Sequence, residues 1–205
     1  WSNENGRFNG NVLVAKNGNI IYNSSFGYAD ASKTTNLTPD YKFNIGSITK
    51  EFSAIALLQL KEKGKLKLND NVSKFFPELP SWANDVTINN LLQYTSGIPD
   101  VNWKKIKNNK DIFEDLKLID TLDFKPGTKY DYNNNNFFLR LSIIEKITGL
   151  EYKDYVDQYI FKPYKMNSAE ITPIQKDKNI AKGFNDKLIE DKPDVLVGGT
   201  FITTT

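Results

Sequence analysis

Phe43-Asn44-Ile45-Gly46-Ser47-Ile48-Thr49-Lys50-Glu51-Phe52 leads out of a Thr-, Asn- and Pro-containing loop into a long periodic segment. Ile48, Phe52, Ile55, Leu57 and Leu58 recur at helical spacing until Gly64, which predicts a buried helix beginning near Ser47 and stopping at that glycine. Residues three apart on a helix share a face, one turn above each other. Ser47 and Lys50 form such a pair, an SxxK motif in which the lysine amine can reach the serine hydroxyl. A serine in the first turn also meets the positive end of the helix dipole, which favours a developing alkoxide. Gly46, just before it, puts no side chain in the path of a substrate. A lysine desolvated beside an apolar run can titrate near pH ~7–8 and serve as a general base. The motif is short, and a surface serine beside a solvated lysine is its other reading.

Composition limits what a reactive serine could use. The 205 residues include no histidine and no cysteine. That excludes the Ser-His-Asp triad, imidazole acid–base chemistry, ordinary His-ligated zinc, thiolate nucleophiles, thiolate metal sites and disulfides. The base of any serine hydrolase here must be lysine, tyrosine, a carboxylate or an amino terminus. With 39% hydrophobic and 13% aromatic residues, the chain can bury a core in one large domain or two small lobes. Its longest apolar runs, such as Ala54 to Leu58, fall far short of the roughly 18 residues a membrane span needs, so no transmembrane segment is expected. The sequence starts at Trp1 with no charged and apolar leader in view, so any signal or lipid-attachment segment is expected to have been removed or never present, and localisation rests on other clues. The net charge of +2 comes from scattered lysines and carries no nucleic-acid footprint. Lys104, Lys105, Lys107 and Lys110 read as a solvated face.

Around the Ser47 segment the local signals are mixed. Val12 to Ala15 and Ile20 to Tyr22 flank Asn17-Gly18, a hairpin signal because a type I′ turn needs positive φ at both central residues. Thr87 can cap a helix over Ile88 to Gln93, with Gly97 as its terminator, and Asp111 to Leu118 is a short amphipathic candidate. Phe137, Leu141, Ile144 and Ile147 line one face of a helix ended by Gly149. Tyr152, Tyr155, Val156 and Tyr159 mark a last helix closed by Pro163. The Asn133 to Asn136 run reads as a turn or helix entry.

A second constellation is Pro126-Gly127-Thr128-Lys129-Tyr130-Asp131-Tyr132-Asn133-Asn134, a turn followed by a YxN triplet at a helix mouth. A tyrosine hydroxyl near an ammonium can shuttle a proton to a leaving group. An asparagine amide can hold the lysine and bind a substrate carbonyl. The plainer reading is an aromatic core residue beside an Asn cap.

Phe43 to Phe52 closely resembles the nucleophile segment of class C β-lactamases and their penicillin-binding-protein, esterase and peptidase relatives. Leu91-Leu92-Gln93-Tyr94-Thr95-Ser96-Gly97-Ile98-Pro99 resembles the LLxHTSGLP segment of that superfamily, with Tyr94 where histidine is usual. Pro126-Gly127 through Tyr132-Asn133-Asn134 and Ile143-Ile144-Glu145-Lys146-Ile147-Thr148-Gly149 are similar to its PGxxxxYSN and IIEKVTG runs. Val197-Gly198-Gly199 with Thr203-Thr204 resembles its later AGGLxST segment. The motifs fall in family order along nearly the whole chain.

The resemblance implies an α+β, β-lactamase/transpeptidase-like fold: an antiparallel sheet lobe, represented here by its amino-terminal hairpin, and a mostly helical lobe. It implies one β-lactamase-related domain over 1–205, incomplete at its carboxy end, with the hairpin and nucleophile helix within 10–64 and the helical lobe over 65–190. Ser47 becomes the acylated nucleophile and Lys50 its base. Tyr132 exchanges protons with Lys50 and the leaving atom, and Asn134 positions Lys50 and the substrate's acyl side chain. One oxyanion donor is the Ser47 backbone N–H. The implied reaction is acyl transfer from an amide, ester or β-lactam carbonyl, without cofactor or metal, on a small-molecule or peptide substrate. The implied setting is periplasmic, extracellular or attached to the cell envelope of a bacterium.

Two departures stand out. The family's third motif, KTG or HxG on a strand facing the nucleophile, has no counterpart, since Lys16-Asn17-Gly18 is the hairpin turn. A fragment, a separate carboxy-terminal segment or second chain, or a lost lobe would each account for it. A lone hairpin is barely stable in water, so residues 1–205 alone are expected to be poorly folded or inactive. Tyr94, and Tyr164-Lys165 where relatives often carry Leu-Gly, lie outside the implied catalytic trio and are expected to alter packing or a groove wall, with no chemistry assigned to them. The alternative functional reading is a non-catalytic peptide-binding or assembly protein that keeps the fold. A lysine-rich helical scaffold without a site is the third.

Overall fold

Asn17 and Gly18 take φ values of 52° and 77°, the two left-handed residues a type I′ turn requires. They join β1 (Gly10–Lys16) to β2 (Asn19–Phe26) in an antiparallel pair, with a register irregularity at Val14/Ala15. The computed structural model describes residues 8–104, 106, 108–171, 179–185, 187–190 and 201–203. These residues form two compact units. The first holds the described residues up to Gly46, those from Asn167 to Glu190, and 201–203; the second runs from Ser47 to Met166.

In the first unit, Leu13, Val14, Ile20, Ile21 and Tyr22 of the hairpin are solvent-exposed. A second antiparallel sheet has the order β3 (Phe43–Asn44), β5 (Phe201–Thr203), β4 (Glu170–Ile171). Phe43 pairs with Thr203, and Glu170 with Ile202. An ion pair between Lys42 Nζ and Glu170 at 2.6 Å lies beside these strands. Of the AGGLxST-like segment, Thr203 ends β5, while Val197, Gly198, Gly199 and Thr204 lie outside the described residues. Of the lysine-rich stretch, Lys104 and Lys110 are exposed; Lys105 and Lys107 are outside the described residues.

The second unit is helical. A 3-10 turn at Gly46–Ile48 leads into α1 (Thr49–Glu62), which ends before Gly64 at φ 68°. The helix forms where its periodicity predicts, but it is rotated from the expected face. Thr49, Ser53, Ala56, Leu57 and Leu60 are buried, whereas Ile48, Ile55 and Leu58 are exposed. Apolar size pointed to the wrong stripe because the buried one is lined partly by small residues, which allow close approach to a neighbouring helix. Ser53 can be buried because its hydroxyl donates to the Lys50 carbonyl at 2.7 Å, within the helix.

Thr87 caps α2 (Ile88–Gln93) through a reciprocal box with Asn90, worth roughly 1 kcal/mol. The terminator of α2 is Tyr94, left-handed at φ 56° and ψ 41°, not Gly97. Gly97, at φ 75°, is required for another reason. A Cβ there would run into the Phe124 carbonyl oxygen, and the Gly97 carbonyl accepts from Asp123 N–H at 2.8 Å. Two strands of loop backbone therefore pack directly on each other.

α3 (Asn109–Lys117) is capped by the Asn108 side chain. α4 (Asn134–Thr148) is the hub, packed by α1, α2, α3 and α5 (Tyr152–Val156). It is buried on nearly every side from Asn135 to Leu141 and again at Ile143 and Ile144, so the single apolar face expected from Phe137, Leu141, Ile144 and Ile147 is too narrow a description. The last helix changes character: α5 passes into a π-helical stretch at Asp157–Phe161 before Pro163.

Candidate active site

The second unit brings Ser47, Lys50 and Tyr132 together. Ser47 stands in the exposed 3-10 turn ahead of α1. Gly46 takes φ 52° and donates its N–H to Asn44 Oδ1 at 2.8 Å, a left-handed backbone that favours glycine. Lys50 lies one turn on, and its Nζ donates to Ser47 Oγ at 3.0 Å. Tyr132 Oη donates to the same oxygen at 3.0 Å from 85 residues away in sequence. Lys50 Nζ is also 5.3 Å from the centroid of the Tyr132 ring and 5.1 Å from that of Phe137, within cation–π range.

Tyr132 is held by its neighbours in sequence. Asp131 N–H bonds the Tyr94 carbonyl and Gly127 N–H the Thr95 carbonyl, at 2.9 and 2.8 Å, which lays the loop along the end of α2. Immediately after Tyr132 the asparagine run serves as a clamp. Asn133 Nδ2 donates to the Ile98 carbonyl at 2.9 Å, Asn134 N–H to Asp100 Oδ1 at 2.8 Å, and Asn135 Nδ2 to the Pro99 carbonyl at 2.7 Å. Three successive residues thus fasten the start of α4 to Ile98-Pro99-Asp100. The side chain of Asn134 is half-buried near the mouth of α4, and among the described residues it makes no hydrogen bond to Lys50.

Burial pushes the Tyr132 phenol up, but hydrogen bonding to Lys50 and Ser47 and the positive charges of Lys50 and Arg140 outweigh it. The net effect lowers Tyr132 below its ordinary value of 10.0. Tyr94 shifts the other way: burial raises it against the charge of Arg140. The two phenols are stacked, with centroids 4.9 Å apart and planes at 25°, so neighbouring tyrosines are driven in opposite directions.

Sequence reasoning missed Tyr94, Arg140 and the anchoring residues of the asparagine clamp. Tyr94, expected to alter packing or a groove wall, lies against the Tyr132 ring. The signal for Arg140 was present in Phe137-Phe138-Leu139-Arg140-Leu141, a charge inside an apolar run, which is rarely buried without a reason.

This arrangement belongs to a known family. The chain is a member of the Beta-lactamase family, which it matches over residues 3–199. It is 37% identical to penicillin-binding protein 4* of Bacillus subtilis over 178 residues, 82% of this chain and 39% of that protein. It is 34% identical to protein Flp of Staphylococcus aureus over 183 residues, 84% of this chain and 37% of that protein. Among solved structures, FmtA from Staphylococcus aureus superposes with a TM-score of 0.86 at 28% identity, over 98% of this chain and 60% of FmtA. A class C β-lactamase superposes with a TM-score of 0.86 at 25% identity, over 98% of this chain and 58% of that enzyme. The fold and the superfamily implied by the motifs are borne out. The matched part is well under half the length of these two curated relatives.

Proposed function

We propose that this chain carries the nucleophile and base of a serine acyl-hydrolase, which forms an acyl-enzyme on Ser47 with an amide, ester or β-lactam carbonyl. The observation that carries the reading is the placement of Ser47 Oγ 3.0 Å from both Lys50 Nζ and Tyr132 Oη, at the amino-terminal end of α1. Two acid–base groups on one hydroxyl are what proton removal and proton return both require.

In the acylation step, Ser47 Oγ forms a bond to the carbonyl carbon while its proton passes to the neutral Lys50 amine. The tetrahedral oxyanion meets the Ser47 N–H and the positive end of α1. Collapse breaks the bond to the leaving nitrogen or oxygen, which takes a proton from Tyr132, and the Lys50 ammonium returns a proton to the phenolate, regenerating phenol and amine. Water then attacks the acyl-enzyme, giving its proton to the same pair, and Ser47 Oγ leaves with one. Asn134, at the mouth of α4, would bind the acyl side chain of the substrate. A bacterial cell-envelope or extracellular setting suits such an enzyme.

Mass spectrometry of the full-length protein after incubation with a penicillin, a fluorophosphonate ester probe and a D-Ala-D-Ala peptide tests this reading. The expected result is a one-to-one adduct on Ser47 with at least one probe, absent from Ser47→Ala. Binding of the peptide without an adduct from any probe would instead favour a non-catalytic binding protein.

A further inference from the structure

Arg140 is the cation that the fold has least reason to bury. It is 3% exposed, in the middle of the hub helix α4. Among the described residues no carboxylate forms an ion pair with it. Burial acts against its charge and lowers its pKa, and a buried charge without an opposite partner is unfavourable. Its Nε has no hydrogen-bond partner among the described residues. What it does contact is aromatic: Nη2 donates to Tyr94 Oη at 2.8 Å, and the guanidinium carbon lies 5.2 Å from the Tyr94 ring centroid and 5.5 Å from that of Phe137.

The next link is also held at a cost. Tyr94 sits in the left-handed region at φ 56°, which strains a bulky L-residue. That conformation ends α2 and lays the ring flat on Tyr132, with Tyr130 edge-on at 6.2 Å. The path runs from the Arg140 guanidinium to the Tyr94 hydroxyl, from the Tyr94 ring to the Tyr132 ring, and from the Tyr132 hydroxyl to Ser47. Phe137 contacts both cations, Lys50 and Arg140. A strained tyrosine and an arginine buried without a carboxylate partner among the described residues meet directly behind the phenol that bonds Ser47.

We propose that Arg140 and Tyr94 are positioning residues for Tyr132: together they hold its phenol against Ser47, and Arg140 supplies a fixed positive charge that stabilises Tyr132 once it has released its proton. The inference rests on the acyl-enzyme reading of Ser47 for its catalytic meaning. Arginine suits the task because its charge does not titrate in the working range, whereas the Lys50 amine must gain and lose a proton during turnover. The lowered position of the Tyr132 phenol, to which the Arg140 charge contributes, agrees with the geometry. The other groups acting on this set are Lys50, Ser47 and Glu51 from the α1 side and Tyr152 from α5.

The test uses the full-length protein and its Arg140→Met, Arg140→Lys and Tyr94→Phe variants, with two readouts. The first is the ionisation of Tyr132, followed as tyrosinate absorbance and assigned by difference from Tyr132→Phe. The second is the pH profile of Ser47 acylation by a fluorophosphonate. Arg140→Met should raise the Tyr132 transition by about one pH unit and move the alkaline limb of the acylation profile with it. Arg140→Lys should restore part of the shift, and Tyr94→Phe, which keeps the ring but loses the hydroxyl contact, should show a smaller one. A folded Arg140→Met protein with both readings unchanged, or Arg140→Lys no better than methionine, overturns the proposal. If Arg140→Met does not fold, an unchanged transition in Tyr94→Phe overturns it equally. Should no probe acylate the wild type while the tyrosinate transition moves as expected, the hydrolase reading fails and the positioning of Tyr132 by Arg140 stands.

Discussion

The Asn133 side chain bridges two structures at once: its Nδ2 donates to the Ile98 carbonyl at 2.9 Å, while its Oδ1 accepts the Asn136 N–H at 3.1 Å and caps α4. An amide places a donor and an acceptor on two separate atoms of one short side chain, so it can reach both partners at once. Asn133 is 1% exposed, so neither bond is replaced by water when it is lost. Asn133→Ser should keep the cap and orphan the Ile98 carbonyl, destabilising by about 1–2 kcal/mol. Asn133→Asp is nearly isosteric, yet it turns a carboxylate oxygen against that carbonyl and should cost more than serine does. Because Tyr132 is the preceding residue, both variants should slow Ser47 acylation as well. Urea denaturation gives the first quantity and adduct formation over time the second.

Ser47 Oγ is shared by two partners, which predicts non-additive kinetics. Lys50→Met and Tyr132→Phe should each lower the acylation rate by about 10²- to 10⁴-fold. If they work as one proton-transfer unit, the double variant should be little slower than the worse single one. Two independent effects would multiply instead. Rates of fluorophosphonate labelling for the four proteins decide between these outcomes.

The parts of this molecule written in local chemistry were legible in the sequence. Asn17-Gly18 gave the hairpin, Thr87 the start of α2, and Gly149, at φ 71°, the end of α4. The Ser47–Lys50 spacing gave the contact between the two side chains, and the absence of histidine limited the choice of base for the proposed chemistry. The burial face of α1 was not legible, because Ser53 and Ala56 line the buried stripe and small residues carry little hydropathic signal. β3, β4 and β5 are too short to show alternation, and their partners are far away in sequence. Arg140 stayed hidden because α4 is buried almost all round, and a periodic pattern cannot tell which side of such a helix faces a site. Tyr94 stayed hidden because a left-handed helix end calls for glycine, and Gly97, three residues on, offered itself.

Gly97 gives a direct test of that reassignment. As a simple helix terminator it would tolerate alanine at a cost near 1 kcal/mol. With the Phe124 carbonyl where a Cβ would lie, Gly97→Ala must push two backbone segments apart as well as strain its own φ. The expected loss is at least about 2 kcal/mol, with broken protection of the Asp123 amide in hydrogen exchange. A loss below about 1 kcal/mol would return Gly97 to the role of a turn residue.

Tyr152 should set part of the alkaline limit of stability. It is 3% exposed, and burial pushes its phenol far above the ordinary value, only partly offset by the charge of Arg140. Tyr94 and Tyr155 are also raised by burial. In the unfolded chain these phenols ionise near pH ~10. Above that pH the unfolded state has lost protons that the native state retains, so stability is fully present below the unfolded value and declines as pH rises beyond it. Tyr152→Phe removes one such group, so its unfolding free energy should fall less steeply between about pH 10 and pH 11 than that of the wild type. Tyr132 has the opposite sign: its lowered phenol adds stability as pH rises toward the unfolded value near pH ~10 and a constant amount beyond it, so Tyr132→Phe should lose that gain below about pH 10 and leave the decline above it unchanged. Denaturant melts of the three proteins on both sides of about pH 10 measure both effects, and coincident profiles would mean that the two phenols are not shifted as the packing implies.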